Sequence, residues 1–179
     1  MTARVFGVLF VMGFAASGAG AQTAGGPVVT SAAGPGIVRQ LAQAPGADLL
    51  VAARIPPGFD LLFLSGKVAA VVDPAARTAT YGDMRRQTTS ILTKIAATLG
   101  HHGMGVGDIV KMTVYLVGDP ANGNKVDRAG FTAAYSQFFG TPAQPNLPAR
   151  TMVQVVALDN PAYLVAVDVT ASARPTTGR

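Results

Sequence analysis

The chain has 179 residues, is 49% hydrophobic and only 13% charged, and carries a formal net charge of +5 at pH 7. It contains no cysteine, which excludes disulfides, a thiol nucleophile, a Cys-ligated metal and a lipid-anchored lipoprotein. The basic residues are scattered and no aromatic residues interleave with them, so nothing in the composition predicts a nucleic-acid patch. All nine acidic residues are aspartates, so any chemistry that needs a carboxylate side chain must use one of them.

Residues 1–21 follow the pattern of a secretory signal peptide. Arg4 supplies the positive start, residues 5–16 form an apolar run, and Ala19-Gly20-Ala21 gives a small-x-small cleavage site before Gln22. The run is shorter than the roughly 20 apolar residues that a membrane-spanning helix needs. An uncleaved anchor helix is the alternative reading. The expected product is periplasmic or secreted, with no membrane attachment after cleavage. Losing Arg4 lowers the net charge to +4. Residues 22–46 are rich in Ala, Gly, Pro, Ser and Thr without periodicity, and are expected to be a flexible leader.

Structure is expected to begin near Asp48, in one domain of ordinary size over residues 47–173, with a frayed polar tail over 174–179. Residues 48–55 and 60–69 are apolar runs of strand length, separated by the turn signal Pro56-Pro57-Gly58. Residues 68–72 suit a short further strand before Asp73-Pro74 turns the chain. Asp83 is a good N-cap for an amphipathic helix of about four turns. Within it Thr88, Ile91, Leu92, Ile95 and Leu99 recur at helical spacing, and the glycines from Gly100 onward stop it.

Residues 108–117 alternate, with Val110, Met112, Val114 and Leu116 on one side, as a half-buried strand does. A second helix is predicted from Asp127, with Phe131, Tyr135, Phe138 and Phe139 on one face, ended by Gly140 and Pro142. A proline-rich loop over 141–148 then delivers Arg150 to a strand, and residues 162–171 form the last strand. The order ββ(β)αβαββ predicts an α+β domain, with both helices on one face of a mixed sheet.

Five residues invite chemistry. Arg150 stands at the mouth of a strand behind Pro145 and Pro148. A guanidinium held there matches a carboxylate through two parallel hydrogen bonds; a surface arginine or a structural ion pair is the alternative. His101 and His102 are adjacent, but zinc needs three or four converging ligands, so they predict an exposed turn and no metal. Ser65 is not in a G-x-S-x-G elbow and no His–Asp relay accompanies it, which argues against a serine hydrolase. Gly66 behind it suits a bulge or a turn.

Five segments in order, "FLSGKVA", "QTTSILTKIAATLG", "GDIVKMTVYL", "AAYSQFFG" and "PARTMVQVVAL", resemble the Rid family (RidA/YjgF, endoribonuclease L-PSP-like). The resemblance runs over residues 49–173. It implies a chorismate-mutase-like α+β fold, a homotrimer with ligand clefts between subunits, and no cofactor. It also implies a hydrolase of the 2-iminobutanoate/2-iminopropanoate deaminase type, which converts reactive 2-imino acids to 2-keto acids and ammonia. The arginine of the family's P-A-R-[ST] motif, which holds the substrate carboxylate, matches Arg150. Ser65 and Gly66 match the cleft-lining S-G-[QK] pattern.

The chain departs from that pattern at several points. "LVAVDV" puts Ala166 at the position of the family's first last-strand glutamate and Asp168 at the second. Ala166 cannot accept a proton. Asp168 lies on the same side of the strand, about 6–7 Å further along, and is expected either to accept the proton of the attacking water or to be a structural partner. Thr132 stands where the family has an asparagine, Met152 where it often has a cysteine, and the family's N-terminal tyrosine has no counterpart. Arg150 and Asp168 are thus the expected catalytic residues. Arg150, Ser65, Gly66, Thr132 and Met152 are the expected substrate contacts. A non-catalytic protein that binds small carboxylates on the same scaffold is the alternative.

Overall fold

The structure is a computed structural model of the chain. It describes the backbone of residues 28–30, and residues 36–42 and 50–175 in full. The predicted signal segment lies outside the described residues. Among the described residues, seven strands and two α-helices follow in the order β1 (Val28–Thr30), β2 (Val38–Leu41), β3 (Leu50–Arg54), β4 (Asp60–Lys67), α1 (Met84–His101), β5 (Ile109–Leu116), α2 (Arg128–Tyr135), β6 (Ala149–Gln154) and β7 (Val165–Ala173). They build one mixed sheet in the order β1-β2-β3-β6-β5-β7-β4. The pairs β3–β6 and β5–β6 are parallel and the other four antiparallel. The fold is the expected α+β class, with the helices against one face of a mixed sheet.

Helix α1 forms where the apolar spacing places it. Asp83 caps it, its Oδ1 accepting from the Arg86 N–H at 2.8 Å, and Ile91, Leu92, Ile95 and Leu99 are all at most 1% exposed. Each such side chain contributes about 1.5–3 kcal/mol of burial. The helix stops because Gly103 turns left-handed (φ 71°) and the Met104 N–H closes on the Leu99 carbonyl. Met112, Val114 and Leu116 of β5 and Val165, Val167 and Val169 of β7 form the sheet side of the same core. Gln87 is fully buried in α1. Its Nε2 donates to the carbonyls of Gly82 and Ala162, and its Oε1 accepts from the Leu164 N–H, each at 2.9 Å. This ties the helix to the chain entering β7.

Two expectations need correction. Part of the leader lies in the sheet: β1 pairs antiparallel with β2, and β2 with β3. Its apolar residues are too few to signal a strand, and Arg39, which anchors β2, is buried by contacts nearly 70 residues away. Residues 68–72 form no strand. The Val68 carbonyl accepts from Lys94 Nζ and the Ala70 N–H donates to Ser90 Oγ, both at 2.9 Å, so the helix takes the bonds that a neighbouring strand would have taken. No helix among the described residues is long and apolar enough to cross a membrane.

Candidate functional site

Cross-strand pairing fixes which way each candidate points. Arg150 pairs with Met112, and Met152 pairs with Val114. Met112 and Val114 are fully buried under the helices, so Arg150 and Met152 face the helix layer. Asp168 pairs with Thr113, one residue out of phase with Met112, and Ala166 pairs with Tyr115. Ala166 and Asp168 therefore share a side, as expected, but it is the open face of the sheet. Within one chain Arg150 and Asp168 point away from each other.

Under the helices, Arg150 meets α2. Asp127 caps this helix, its Oδ1 accepting from the Gly130 N–H at 2.8 Å. The helix brings Phe131 and Tyr135, four residues apart, over the guanidinium. The Arg150 Cζ lies 4.2 Å from the Tyr135 ring centroid and 5.6 Å from that of Phe131. Cation–π contact with partly desolvated rings holds the guanidinium plane. Tyr135 in turn stacks on Phe139, with centroids 4.6 Å apart.

Beside the guanidinium is a cavity of about 130 Å3, lined by Arg150, Thr132, Tyr135, Ser136, Phe139, Gly140 and Leu147. The Arg150 Nη1 is buried and has no hydrogen-bond acceptor. Leaving a charged donor in that state costs at least the 1–3 kcal/mol of a neutral one. An anion in the cavity would relieve it. No carboxylate lines this cavity.

The expected residues thus separate. Arg150 and Thr132 come together in the cavity. The Thr132 hydroxyl donates to the Arg128 carbonyl at 2.9 Å, which leaves its oxygen to accept. Met152 shares Arg150's side but packs against the core, outside the cavity lining. Ser65 and Gly66 are exposed in an irregularity of the β4–β7 pairing, between Leu64 and Lys67, on an edge strand. Two strands lie between β4 and β6, so about 14 Å separates them from Arg150's strand.

Asp168 is only partly exposed and its Oδ1 has no partner. The Asp168 carboxylate raises the Tyr115 hydroxyl above the ordinary tyrosine value, through its charge foremost, then burial, then the hydrogen bond between the two side chains. Two further residues, Tyr135 and Phe139, line the cavity. Their signal was the i, i+4 and i+8 aromatic spacing, which marks a buried helix face but not what it faces. His101 and His102 are exposed at the end of α1, and no group of three metal-ligating side chains occurs among the described residues.

Comparison with known proteins gives the family and the fold. A RutC family protein of Pyrococcus abyssi is 33% identical over 101 residues, spanning 55% of this chain and 68% of its own. A RutC family protein of Synechocystis is 33% identical over 98 residues, 54% of this chain and 67% of its own. Among solved structures, a Rid family protein of unknown function from Yersinia pestis, YyfB, superposes with a TM-score of 0.55 at 21% identity. It covers 74% of this chain and 97% of its own, which establishes likeness of fold. The family model described as endoribonuclease L-PSP matches residues 58–173, from the turn before β4 to the end of β7 and including both the arginine and the helix over it. The chain belongs to this family, the RidA/YjgF group of proteins.

Proposed function

We propose that the protein is a cofactor-independent imine deaminase, which hydrolyses small 2-imino acids to 2-keto acids and ammonia with Arg150 holding the substrate carboxylate. The observation that carries this reading is the buried, acceptor-free Nη1 of a guanidinium set against Tyr135 at the wall of a small cavity. A 2-imino acid has its carboxylate beside an electrophilic C=N carbon. Clamping the carboxylate fixes where that carbon sits and aims it at one water. Water adds to the carbon, the nitrogen gains protons, and ammonia leaves as the carbonyl forms.

The attacking water needs a proton acceptor, and no carboxylate lines the Arg150 cavity. Asp168 is on the opposite side of its own sheet, and Ser65 and Gly66 are at its edge. The reading therefore places the working cleft between copies of a homotrimer, where Asp168, Ser65 and Gly66 of one copy complete the site of another. The test couples the purified protein to an amino-acid oxidase that generates 2-iminobutanoate, and follows loss of the imine. Acceleration over buffer that disappears in Arg150→Ala supports the proposal. An intact trimer without acceleration, or an Arg150→Ala variant of undiminished rate, sinks it.

A second reading, a binding protein for small carboxylates, is favoured by the absence of any acid from the Arg150 cavity. Saturable binding of 2-oxobutanoate without turnover of the imine selects it. We further propose export, on the pattern of residues 1–21 alone. Mass spectrometry of periplasmic protein beginning at Gln22 is the expected result, and an unprocessed cytoplasmic chain the opposing one.

A further inference from the structure

A second cavity, of about 200 Å3, shares no lining residue with the Arg150 site. It lies where β2 meets the start of β5 and the end of β7, between Ile37, Arg39, Phe59, Asp108, Ser172 and Arg174. Arg39 is only 3% exposed. Its Nη2 donates to the carbonyls of Gly107 at 2.9 Å and Ile109 at 3.4 Å, while Nε and Nη1 have no acceptor. A guanidinium carries five N–H donors and does not lose its charge, so two carbonyls leave most of its demand unmet.

Asp108 does not meet it. Its Oδ2 accepts from the Gly105 N–H at 2.8 Å, and neither Nε nor Nη1 of Arg39 reaches a carboxylate. Burial lowers the Arg39 pKa and the Asp108 charge opposes that only in part. In the same lining, the fully buried Ser172 also has a hydroxyl without a partner. Two buried polar side chains, one charged, thus line the same cavity with hydrogen-bonding atoms left over: Nε and Nη1 of Arg39 and the Ser172 hydroxyl. Polar groups are seldom buried in this state unless something else supplies the partner.

The rest of the lining describes that partner. Arg174 lies over the Phe59 ring at 5.0 Å, and adds a second positive charge. Two arginines and one aspartate leave the cavity with a net charge of +1, which suits a monoanion better than a dianion. Ile37, Phe59 and Ala173 supply apolar wall. Taking about 30 Å3 as the share of one water in the liquid, the cavity holds a molecule of some half-dozen heavy atoms. We infer that this cavity is a second anion site, which takes a small monocarboxylate with a short apolar tail, its oxygens on Arg39 and Ser172. The site stands on residues that the Arg150 reading does not use, so either can fail without the other.

The test is an NMR titration of the 15N-labelled protein with sodium butanoate and, separately, with inorganic phosphate. Saturable shifts are expected at the amides of Gly36, Ile37, Ser172 and Ala173 with butanoate, and they should persist in Arg150→Met. Arg39→Met is expected to weaken butanoate at these amides at least tenfold. Should that variant fail to fold, Ser172→Ala, which removes one hydroxyl, is expected to weaken it about tenfold. Three results overturn the inference: shifts confined to α2 and β6, butanoate affinity unchanged in the variant that folds, or phosphate bound as tightly as butanoate.

Discussion

The guanidinium carbon of Arg150 lies 4.2 Å from the centre of the Tyr135 ring, close enough for the ring to set its plane. A clamp for a planar carboxylate depends on that plane as well as on the charge. Desolvated cation–π contacts of this kind are worth about 2 kcal/mol. Tyr135→Leu, which keeps an apolar contact and removes the aromatic face, is expected to weaken 2-oxobutanoate binding about five- to thirtyfold. Arg150→Lys keeps the charge but loses the fork, and is expected to weaken it at least as much. Calorimetric titration of both variants checks this, with circular dichroism to confirm folding.

Asp168 and Tyr115 form a pair on the open face that has its own pH signature. The Asp168 charge holds the Tyr115 hydroxyl above the usual tyrosine value, which is about 10. The folded chain thus keeps its proton at a pH where the unfolded chain begins to lose it. The stability tied to this pair is present in full below about pH 10 and is lost as pH rises through the folded-state value. Tyr163 is raised as well, chiefly by its hydrogen bond with Tyr81. An ultraviolet tyrosinate titration of Asp168→Asn should therefore move one of the two late-titrating tyrosines to lower pH and leave the other. If both stay, the contact between Asp168 and Tyr115 is not formed.

The elements legible in the sequence are those whose partners are close by or whose period is long. Helix α1 announced itself through Ile91, Leu92, Ile95 and Leu99, and its cap through Asp83, because both are local patterns. Strand β2 did not, because Arg39 is buried by the carbonyls of Gly107 and Ile109, 68 and 70 residues on. Alternation put Ala166 and Asp168 on one side of β7, and the structure agrees. That this side is opposite to Arg150 depends on the register of β5 against both β6 and β7. Strand pairing of that kind carries no local mark. The spacing puts Tyr135 on one face of α2, and only the arrival of β6 beneath α2 makes it part of a site.

Gln87 tests how far the fold depends on one buried polar group. It satisfies the carbonyls of Gly82 and Ala162 and the N–H of Leu164 from a position with no solvent access. Gln87→Leu preserves most of the volume but strands those backbone groups. Each buried unsatisfied group costs about 1–3 kcal/mol, so a loss of about 2–4 kcal/mol is expected, below the simple sum because the exposed loop at Ala162 can relax toward water. A urea denaturation curve with a lower midpoint and an unchanged slope would bear this out. A change below about 0.5 kcal/mol would show that water replaces Gln87 without penalty.

The open face of the sheet carries the last prediction. Phe63 is 73% exposed, Leu61 50% and Val153 38%, on strands β4 and β6 that flank the Asp168 pair. Pairing puts them on one side: Phe63 opposite Thr170, Leu61 opposite Ser172, and Val153 opposite Tyr115. Burying a phenylalanine side chain contributes about 1.5–3 kcal/mol, so three copies covering one another's open faces would gain that at each interface. Phe63→Asp replaces the gain with a charge that must be desolvated. Light scattering on the unaltered protein is expected to give the mass of a trimer, and on Phe63→Asp a shift toward the monomer. Imine hydrolysis should fall in parallel if the working cleft lies between copies. A monomeric Phe63→Asp protein of full activity would place the whole of the chemistry within one chain.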